Sequence, residues 1–427
     1  MSTRGCPALF ISAPASGQGK TTVTAALARW HRKQGRRVRV FKTGPDFLDP
    51  KILEVASGAP VYQLDLWLGG LAHCQALLYA AAEEADLILV EGVMGLFDGE
   101  PSSADLAMRF GLPVALVVDT SGMGQTFAAI AHGLTHFNPE IRVHGVLANR
   151  VGSANHRQLV AHRTPQFLGA LPRTPEAELP RRHLGLVAAT EIADIEQRIT
   201  RMAELIGDTA LAELPPSVNF TAPPRAILPT RLQGVRIGVA RDEAFSFIYH
   251  ANLDILSDLG AHLEFFSPLH DARPPDVDAL YLPGGYPELH LAKLAANATM
   301  KDALRLHHTS GKPIVAECGG MMYLLSETIN SDGVVGAMTG LLPGTARMAT
   351  RLSNLGLHHA SLPEGELRGH TFHYSQVEAM PTPAHWSVPQ RSTGKAEGVW
   401  RDRRLCASYM HWYFPSNPTA IAQLFTP

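Results

Sequence analysis

The sequence has few cysteines: Cys6, Cys74, Cys318 and Cys406 are the only ones among 427 residues. So small a number excludes a disulfide-dense scaffold and favours a reducing compartment, since disulfides persist mainly in oxidising compartments. No apolar run approaches the roughly 20 residues that a membrane-spanning helix needs. We therefore expect a cytoplasmic protein that does not insert into a membrane.

The chain also lacks an excess of charge of either sign. Lysine and arginine total 37 against 39 for aspartate and glutamate, so no global field attracts nucleic acid or anionic lipid. The 20 histidines are scattered without the spacing of a zinc site. We expect no nucleic-acid partner, no membrane partner and no zinc.

What the sequence does contain is a repeated alternation of apolar strands with helical stretches. A chain of 427 residues exceeds what one core usually serves, which predicts two domains. The alternation is typical of α/β domains with parallel sheets. Strands are expected at residues 8–13, 38–42, 87–91, 114–119 and 143–149, and again at 235–240, 262–266 and 279–282. We predict one α/β domain over 1–206, a proline-rich linker over 207–233 and a second α/β domain over 234–427.

The most informative residue of the second domain is Cys318, which follows the apolar run 313–316 and precedes two glycines. A thiol between a buried strand and a helix N-terminus has the geometry of a nucleophile elbow, and the helix is expected to lower the thiol pKa. His411 ends another apolar run 93 positions later, which suits a Cys–His acyl-transfer pair. Backbone N–H groups of Gly285 and Gly319 are the expected oxyanion donors. A buried structural cysteine is the alternative for Cys318 alone. Together these elements resemble a class I glutamine amidotransferase domain.

A glycine-rich loop between the first strand and the first helix predicts a phosphate site in the first domain. Backbone N–H groups of such a loop, with the helix N-terminus, cradle phosphate, while Lys20 would reach the terminal phosphates and the Thr21 hydroxyl would bind Mg²⁺. Pro14 stands where the usual pattern has its first glycine. The expected ATP-binding residues are Ser16, Gly17, Gln18, Gly19, Lys20, Thr21 and Thr22.

Acidic residues follow two further strands of this domain, at the edge where such folds bind magnesium. Glu91 ends an apolar strand, as a Walker-B acid does, and we expect it to bind Mg²⁺ together with Thr21 and Asp46. Asp49 and Asp98 are candidate catalytic residues, with ordinary solvated loop acids as the alternative. Asn149 could hydrogen-bond the adenine edge, although asparagine is also common where a strand turns.

These motifs together resemble the cobyrinic acid and hydrogenobyrinic acid a,c-diamide synthase family. The matching segments are SGQGKTT at 16–22, GPDFLDP at 44–50, EGVMGLFDG at 91–99, the stretch 168–186 with LGALP and RRHLGL, AECGGMMYL at 316–324, GHTFHYS at 369–375 and SYMHWYF at 408–414. The resemblance implies a dethiobiotin-synthetase-like P-loop domain, followed by the amidotransferase domain. It further implies that Cys318 and His411 release ammonia from glutamine, and that ATP with Mg²⁺ phosphorylates the a and c acetate groups of a corrin. Asp46, Asp49 and Asp98 would then position Mg²⁺, the carboxylate or its phosphorylated form.

Several alternatives remain at this point. Another tetrapyrrole, such as nickel sirohydrochlorin, would require the same ATP and glutamine motifs. A partition-type nucleotide-switch ATPase shares the phosphate loop, but gives Cys318 and His411 no role. An amidotransferase-like binding module without catalysis would not need both. Tyr413 occupies the position of the usual triad acid, so we expect a Cys–His dyad. A homodimer is left open.

Overall fold

The structure is a computed structural model of the protein, in which residues 2–182, 185–186, 192–224 and 228–427 are described. The chain divides into two compact units, Met1–Arg225 and Ala226–Pro427. None of the helices in the described residues is long and apolar enough to cross a bilayer.

The first unit alternates strands and helices over nearly its whole length. Its strands are β1 Thr3–Ser12, β2 Val38–Thr43, β3 Tyr62–Leu64, β4 Leu87–Glu91, β5 Val114–Asp119, β6 Val143–Val151, β7 Phe167–Pro172, β8 Arg181–Arg182, β9 Gly185–Leu186 and β10 Ser217–Thr221. Its helices are α1 Lys20–Lys33, α2 Leu48–Ser57, α3 Gly70–Glu84, α4 Ser103–Phe110, α5 Thr126–His136, α6 Ala154–Ala161 and α7 Ile195–Gly207.

The main sheet of this unit has the order β3-β2-β4-β1-β5-β6-β7, with all of these neighbours parallel. Buried apolar side chains cover both of its faces, as a parallel sheet flanked by helices requires. The predicted parallel α/β fold of the first domain is therefore confirmed. The carboxyl ends of β1, β2 and β4 meet at one edge, which brings together the loops that follow them.

The linker expected over residues 207–233 contains a strand. β10 pairs antiparallel with β1, with Thr3 opposite Thr221, and its side chains alternate between exposed and buried. Val218 and Phe220 join the core of the first unit. The proline-rich composition on either side concealed this period-two pattern, so the expectation of a continuous linker was wrong for residues 217–221.

The second unit combines a parallel sheet with many short antiparallel strands. Its strands are β11 Arg236–Ala240, β12 His262–Phe266, β13 Ala279–Leu282, β14 Ile314–Glu317, β15 Glu327–Ile329, β16 Val335–Ala337, β17 Thr345–Met348, β18 Asn354–Leu362, β19 Gly365–His373, β20 Ser375–Glu378, β21 His385–Trp386, β22 Val388–Pro389, β23 Gly398–Asp402, β24 Leu405–Ser408 and β25 His411–Trp412. Its helices are α8 His250–Asp258, α9 Leu291–Ala296, α10 Ala298–Thr309, α11 Gly319–Leu324 and α12 Pro418–Phe425.

The central sheet of the second unit has the order β12-β11-β13-β14-β24-β23-β21. In this sheet the first five strands in the order, which end with β24, are parallel to one another. β23 pairs antiparallel with β24, and β21 pairs antiparallel with β23. A separate sheet with the order β22-β18-β19-β25 is antiparallel throughout. The turn after β14 and the strand β25 carry the two residues of the expected acyl-transfer pair.

Candidate functional site

The phosphate loop of the first unit lies between the end of β1 and the start of α1. Gly17 and Gly19 have φ angles of 81° and 97°, in the left-handed region that favours glycine. A Cβ atom on Gly19 would lie 2.3 Å from Nδ2 of Asn149, so this position accepts no larger residue without displacement. The loop therefore has the backbone geometry that a phosphate cradle requires.

Lys20, the first residue of α1, lies against this loop. Its Nζ donates to the carbonyl oxygens of Ala15, at 3.0 Å, and Met94, at 2.5 Å. Burial lowers the pKa of Lys20 to about 8, and the charge of Lys42 acts in the same direction. An added anion would favour the charged form of Lys20, which suits the predicted role at a phosphate.

The side chains of Asn149 and Gln18 hold the glycine-rich loop in place through hydrogen bonds. Nδ2 of Asn149 donates to the carbonyl oxygen of Gln18 at 2.9 Å, and the Gln18 side chain accepts from the backbone N–H of Asp119 at 2.8 Å. Oδ1 of Asn149 accepts from the backbone N–H of Arg150 at 3.0 Å. These contacts give Asn149 and Gln18 a role in holding the loop. The role of Asn149 at adenine stays a prediction, as do those of the exposed Ser16 and the half-buried Thr22.

A buried lysine forms the centre of the acidic cluster. Nζ of Lys42 lies 2.7 Å from Asp49 Oδ2, 2.7 Å from Glu91 Oε1 and 3.9 Å from Asp46 Oδ2. Lys42 and Glu91 face each other across β2 and β4, and the Thr21 hydroxyl donates to Glu91 at 2.8 Å. The structure thus brings Thr21 and the three predicted acids to one point. The sequence analysis missed Lys42, although a lysine near the end of an apolar strand was a usable signal.

The ionisation of this cluster follows from burial and mutual charge. Burial works against the charge of Lys42, but the carboxylates around it, Asp49 first, outweigh burial and raise its pKa. Burial also opposes ionisation of Asp49, but Lys42 outweighs it and lowers the pKa of that carboxyl. Burial, followed by the charge of Asp49, raises the pKa of Asp46 well above its usual range. Of these two aspartates, Asp49 therefore ionises more readily, and Asp46 retains its proton more readily.

The donors present fit a magnesium ion that binds together with a nucleotide. Oε2 of Glu91 is buried and has no hydrogen-bond partner among the residues that the structure describes. Among the same residues, no three histidine, cysteine, aspartate or glutamate side chains form a metal site. Mg²⁺ commonly takes only one or two carboxylates, with substrate phosphates and water as its other ligands. The Thr21 hydroxyl and the Glu91 carboxylate match that set.

Asp98 lies in the loop after β4 and is exposed. Its Oδ2 accepts from the backbone N–H of Gly95 at 2.9 Å, and its charge raises the pKa of Lys20 against the effect of burial. The structure therefore places Asp98 within electrostatic reach of Lys20. Its catalytic role stays a prediction.

In the second unit, Cys318 has the backbone of a nucleophile elbow. Its φ and ψ angles are 44° and −108°, unusual for a residue other than glycine, and its N–H donates to the carbonyl oxygen of Ser408 at 2.8 Å. A Cβ atom on Gly319 would lie 2.9 Å from the backbone nitrogen of Gly285, so the two expected oxyanion donors are close together. Their role as donors stays a prediction.

The structure also brings His411 to Cys318. A Cβ atom on Gly284 would lie 2.2 Å from Cε1 of His411 and 3.4 Å from Cβ of Cys318. A side chain at Gly284 would therefore enter the space shared by the two residues. The space taken by His411 and Cys318 thus gives a steric reason for glycine at position 284, the first of the two glycines that follow β13.

Burial controls the protonation of this pair. It raises the pKa of the Cys318 thiol, with the charge of Glu288 as the next contribution. It also lowers the pKa of His411 well below its usual range, with His370 and His373 adding to the effect. The Gly319 N–H at the start of α11 lowers the thiol pKa, as expected of the helix N-terminus, but burial outweighs it and the net pKa is raised. Both pKa shifts favour the neutral thiol of Cys318 and the neutral imidazole of His411.

His370 is the close neighbour of His411 that sequence analysis missed. The two residues lie opposite each other across β19 and β25, and their rings stack with centroids 4.9 Å apart at 19°. The hydroxyl of Tyr249 lies 3.0 Å from Nδ1 of His370. Tyr413, at the position of the usual triad acid, is buried with its ring edge-on to Tyr249. Only the pairing of β19 with β25 reveals this arrangement, and the sequence does not show that pairing.

Two family models match the chain, one in each unit. The CobQ/CobB/MinD/ParA nucleotide binding domain matches residues 9–187, and the CobB/CobQ-like glutamine amidotransferase domain matches residues 236–419. The second match covers the segment that a nucleotide switch alone would leave without a function.

Curated relatives match over the full length of the chain. A hydrogenobyrinate a,c-diamide synthase of Stutzerimonas stutzeri is 59% identical, with all of both chains covered. One of Pseudomonas aeruginosa is 57% identical over all of this chain and 99% of its own. A cobyrinate a,c-diamide synthase of Herminiimonas arsenicoxydans is 47% identical over all of this chain and 98% of its own. The chain belongs to the cobyrinate and hydrogenobyrinate a,c-diamide synthase family.

Proposed function

We propose that this protein amidates the a and c acetate side chains of a corrin, hydrogenobyrinate or cobyrinate, with ATP and glutamine as co-substrates. The observation that carries the proposal is the full-length identity of 59% and 57% to two hydrogenobyrinate a,c-diamide synthases. The two candidate sites supply the separate chemistries that such a ligase needs.

The second unit would release the ammonia. In this reaction the Cys318 sulfur attacks the glutamine side-chain carbonyl while His411 takes the thiol proton and passes it to the leaving ammonia. Water then cleaves the thioester and glutamate leaves. Gly285 and Gly319 lie close together, and their backbone N–H groups would hold the oxyanion. The neutral resting pair fits a base that acts during attack.

The first unit would activate the carboxylate. A carboxylate becomes a good acyl donor to ammonia when phosphorylation by the γ-phosphate of ATP converts its oxyanion into a phosphate leaving group. Phosphoryl transfer depends on positioning and cations, and the loop with Lys20 offers both. Thr21 and Glu91, with Asp46 beside them, would hold Mg²⁺, whose charge offsets that of the phosphates. Asp49 and Asp98 are proposed to position the reacting groups.

The remaining expectations concern the setting of the enzyme. The small number of cysteines supports a cytoplasmic enzyme, which would take a corrin, ATP and L-glutamine. The balanced charge supports the absence of nucleic acid and membrane as partners. A homodimer is left open.

The proposal is tested by mass spectrometry of the products formed with ATP, Mg²⁺ and glutamine. Hydrogenobyrinic acid, cobyrinic acid and nickel sirohydrochlorin are offered separately to the enzyme. We expect a diamide from one of the two corrins in strong preference. Preferred amidation of nickel sirohydrochlorin, or no amidation of any of the three while glutaminase activity persists, would contradict the proposed substrate.

A further inference from the structure

Glu317 is a buried acid that the proposed reaction does not use. It is the last residue of β14, it directly precedes Cys318, and its exposed fraction is 1%. Its Oε2 accepts from the Tyr281 hydroxyl at 2.9 Å and its Oε1 accepts from the backbone N–H of Trp412 at 3.0 Å. Both partners are neutral, and burial raises the pKa of Glu317 to about 8. Burying a carboxyl group beside neutral partners costs free energy, so its hydrogen bonds call for an explanation.

The partner that matters is Trp412, the residue after His411. Its N–H is held by Glu317, and its carbonyl oxygen accepts from Nδ2 of Asn252 at 2.8 Å. β25 contains only two residues, so its register depends strongly on these contacts from outside its own sheet. The backbone next to His411 is thus fixed on one side by α8 and on the other by the strand that carries the nucleophile.

Glu317 therefore links the two members of the acyl-transfer pair. At one end its main chain continues into Cys318, whose N–H is bonded to Ser408. At the other end its carboxyl group holds the backbone that carries His411. We propose that Glu317 is a positioning residue that keeps His411 in register with Cys318 through the Trp412 N–H. The inference rests on the proposed glutaminase reaction. Tyr413 stands at the position of the usual triad acid and has no carboxylate, so the task of orienting His411 falls to Glu317.

Two conservative variants separate position from charge. Glu317→Gln keeps the length of the side chain and an oxygen that accepts from Trp412, but cannot ionise. Glu317→Asp keeps an ionisable carboxyl group but withdraws the acceptor by one methylene. Tyr281→Phe leaves the bond to the Trp412 N–H in place but removes the hydrogen bond to Oε2, together with the bond between the Tyr281 hydroxyl and the Asn252 side chain. Glutamate release by the full chain is measured for kcat and for KM of glutamine, with thermal melting as the check on folding.

Positioning predicts that Glu317→Gln and Tyr281→Phe keep kcat within about threefold, while Glu317→Asp lowers it by about 10–100-fold, as misplacement by roughly 1 Å does. KM for glutamine should change little, because Glu317 does not contact the substrate in the proposed reaction. The inference is overturned if Glu317→Gln loses as much kcat as Glu317→Asp, or if Glu317→Asp retains the wild-type kcat. Failure of the wild type to release glutamate would instead overturn the proposed function.

Discussion

Lys42 is the residue on which the electrostatics of the first unit depend. It is 3% exposed and lies within 2.7 Å of two carboxylates and 3.9 Å of a third. Its positive charge allows the acids to approach one another at the edge of the sheet.

Lys42→Met should destabilise the protein by about 3–5 kcal/mol, because it leaves buried carboxylates without a cation. ATP-dependent amidation should fall strongly while glutamate release persists. Lys51→Met is the matched control: the Lys51–Glu54 pair is 2.9 Å long and partly exposed, so its loss should cost at most about 1 kcal/mol. Urea unfolding of the full chain measures the free energy of unfolding of both variants. Equal effects of the two variants would contradict the central role of Lys42.

The protonation of His411 gives a prediction about pH. Since burial, with His370 and His373, holds the pKa of His411 well below its usual range, the imidazole stays an available base under mildly acidic conditions. The acidic limb of kcat/KM for glutaminase should therefore lie below the ordinary histidine value of about 6.5. A pH–rate profile that is half-maximal at or above that value would show that His411 is not held neutral in this way.

At the residue scale, the sequence predicted those functional residues whose neighbours in the chain form a recognisable motif. Cys318 precedes two glycines, and Lys20 lies at the start of a helix after a glycine-rich loop, so chain neighbours alone identify them. Glu317 and His370 act through residues far away in the sequence, as Lys42 does through Glu91. Their partners depend on which strands lie side by side, and single residues do not reveal that order.

At the scale of elements, α1 and the loop before it test the phosphate site. Gly19→Ala would place a Cβ atom 2.3 Å from Asn149 at a φ of 97°, so we expect ATP affinity to fall by about tenfold or more. Gly35, beyond the other end of α1, has a φ of 79°, and a Cβ atom there would have no heavy atom within 4 Å, which makes Gly35→Ala the control. Calorimetric titration with a non-hydrolysable ATP analogue measures both variants. Equal affinities in Gly19→Ala and the wild type would contradict the predicted cradle.

Strands were predicted where apolar strands alternate regularly with helices, and they were missed where this alternation ends. The strands β4, β5, β12 and β13 begin and end where the sequence predicted them. The strands β15 to β23 of the second unit, which pair antiparallel except for β15 with β17, were not predicted, because most are two to five residues long and lack helices between them. Such short segments carry too few residues for a period of two to be recognised.

At the scale of the whole molecule, each unit carries one of the two proposed reactions. Glu91→Gln should lower ATP-dependent amidation by about 100-fold or more, since it alters a charge-bearing group at the proposed Mg²⁺ site. Glutamate release should continue near its basal rate, because Glu91 belongs to the first unit. Parallel assays of diamide and glutamate measure the two activities. A variant that forms diamide at the wild-type rate would remove Glu91 from the proposed site.

The proposed role of Cys318, which is to supply ammonia for amidation of a corrin, is tested most directly by tracing the nitrogen. Wild type and Cys318→Ser are each given hydrogenobyrinic acid, ATP, Mg²⁺ and glutamine labelled with ¹⁵N in its side-chain amide, and then ammonium salts instead of glutamine. We predict a diamide with two ¹⁵N atoms from the wild type. We predict none from Cys318→Ser with glutamine, but normal diamide with ammonium. Labelled diamide from Cys318→Ser, or equal loss of both activities, would contradict this role.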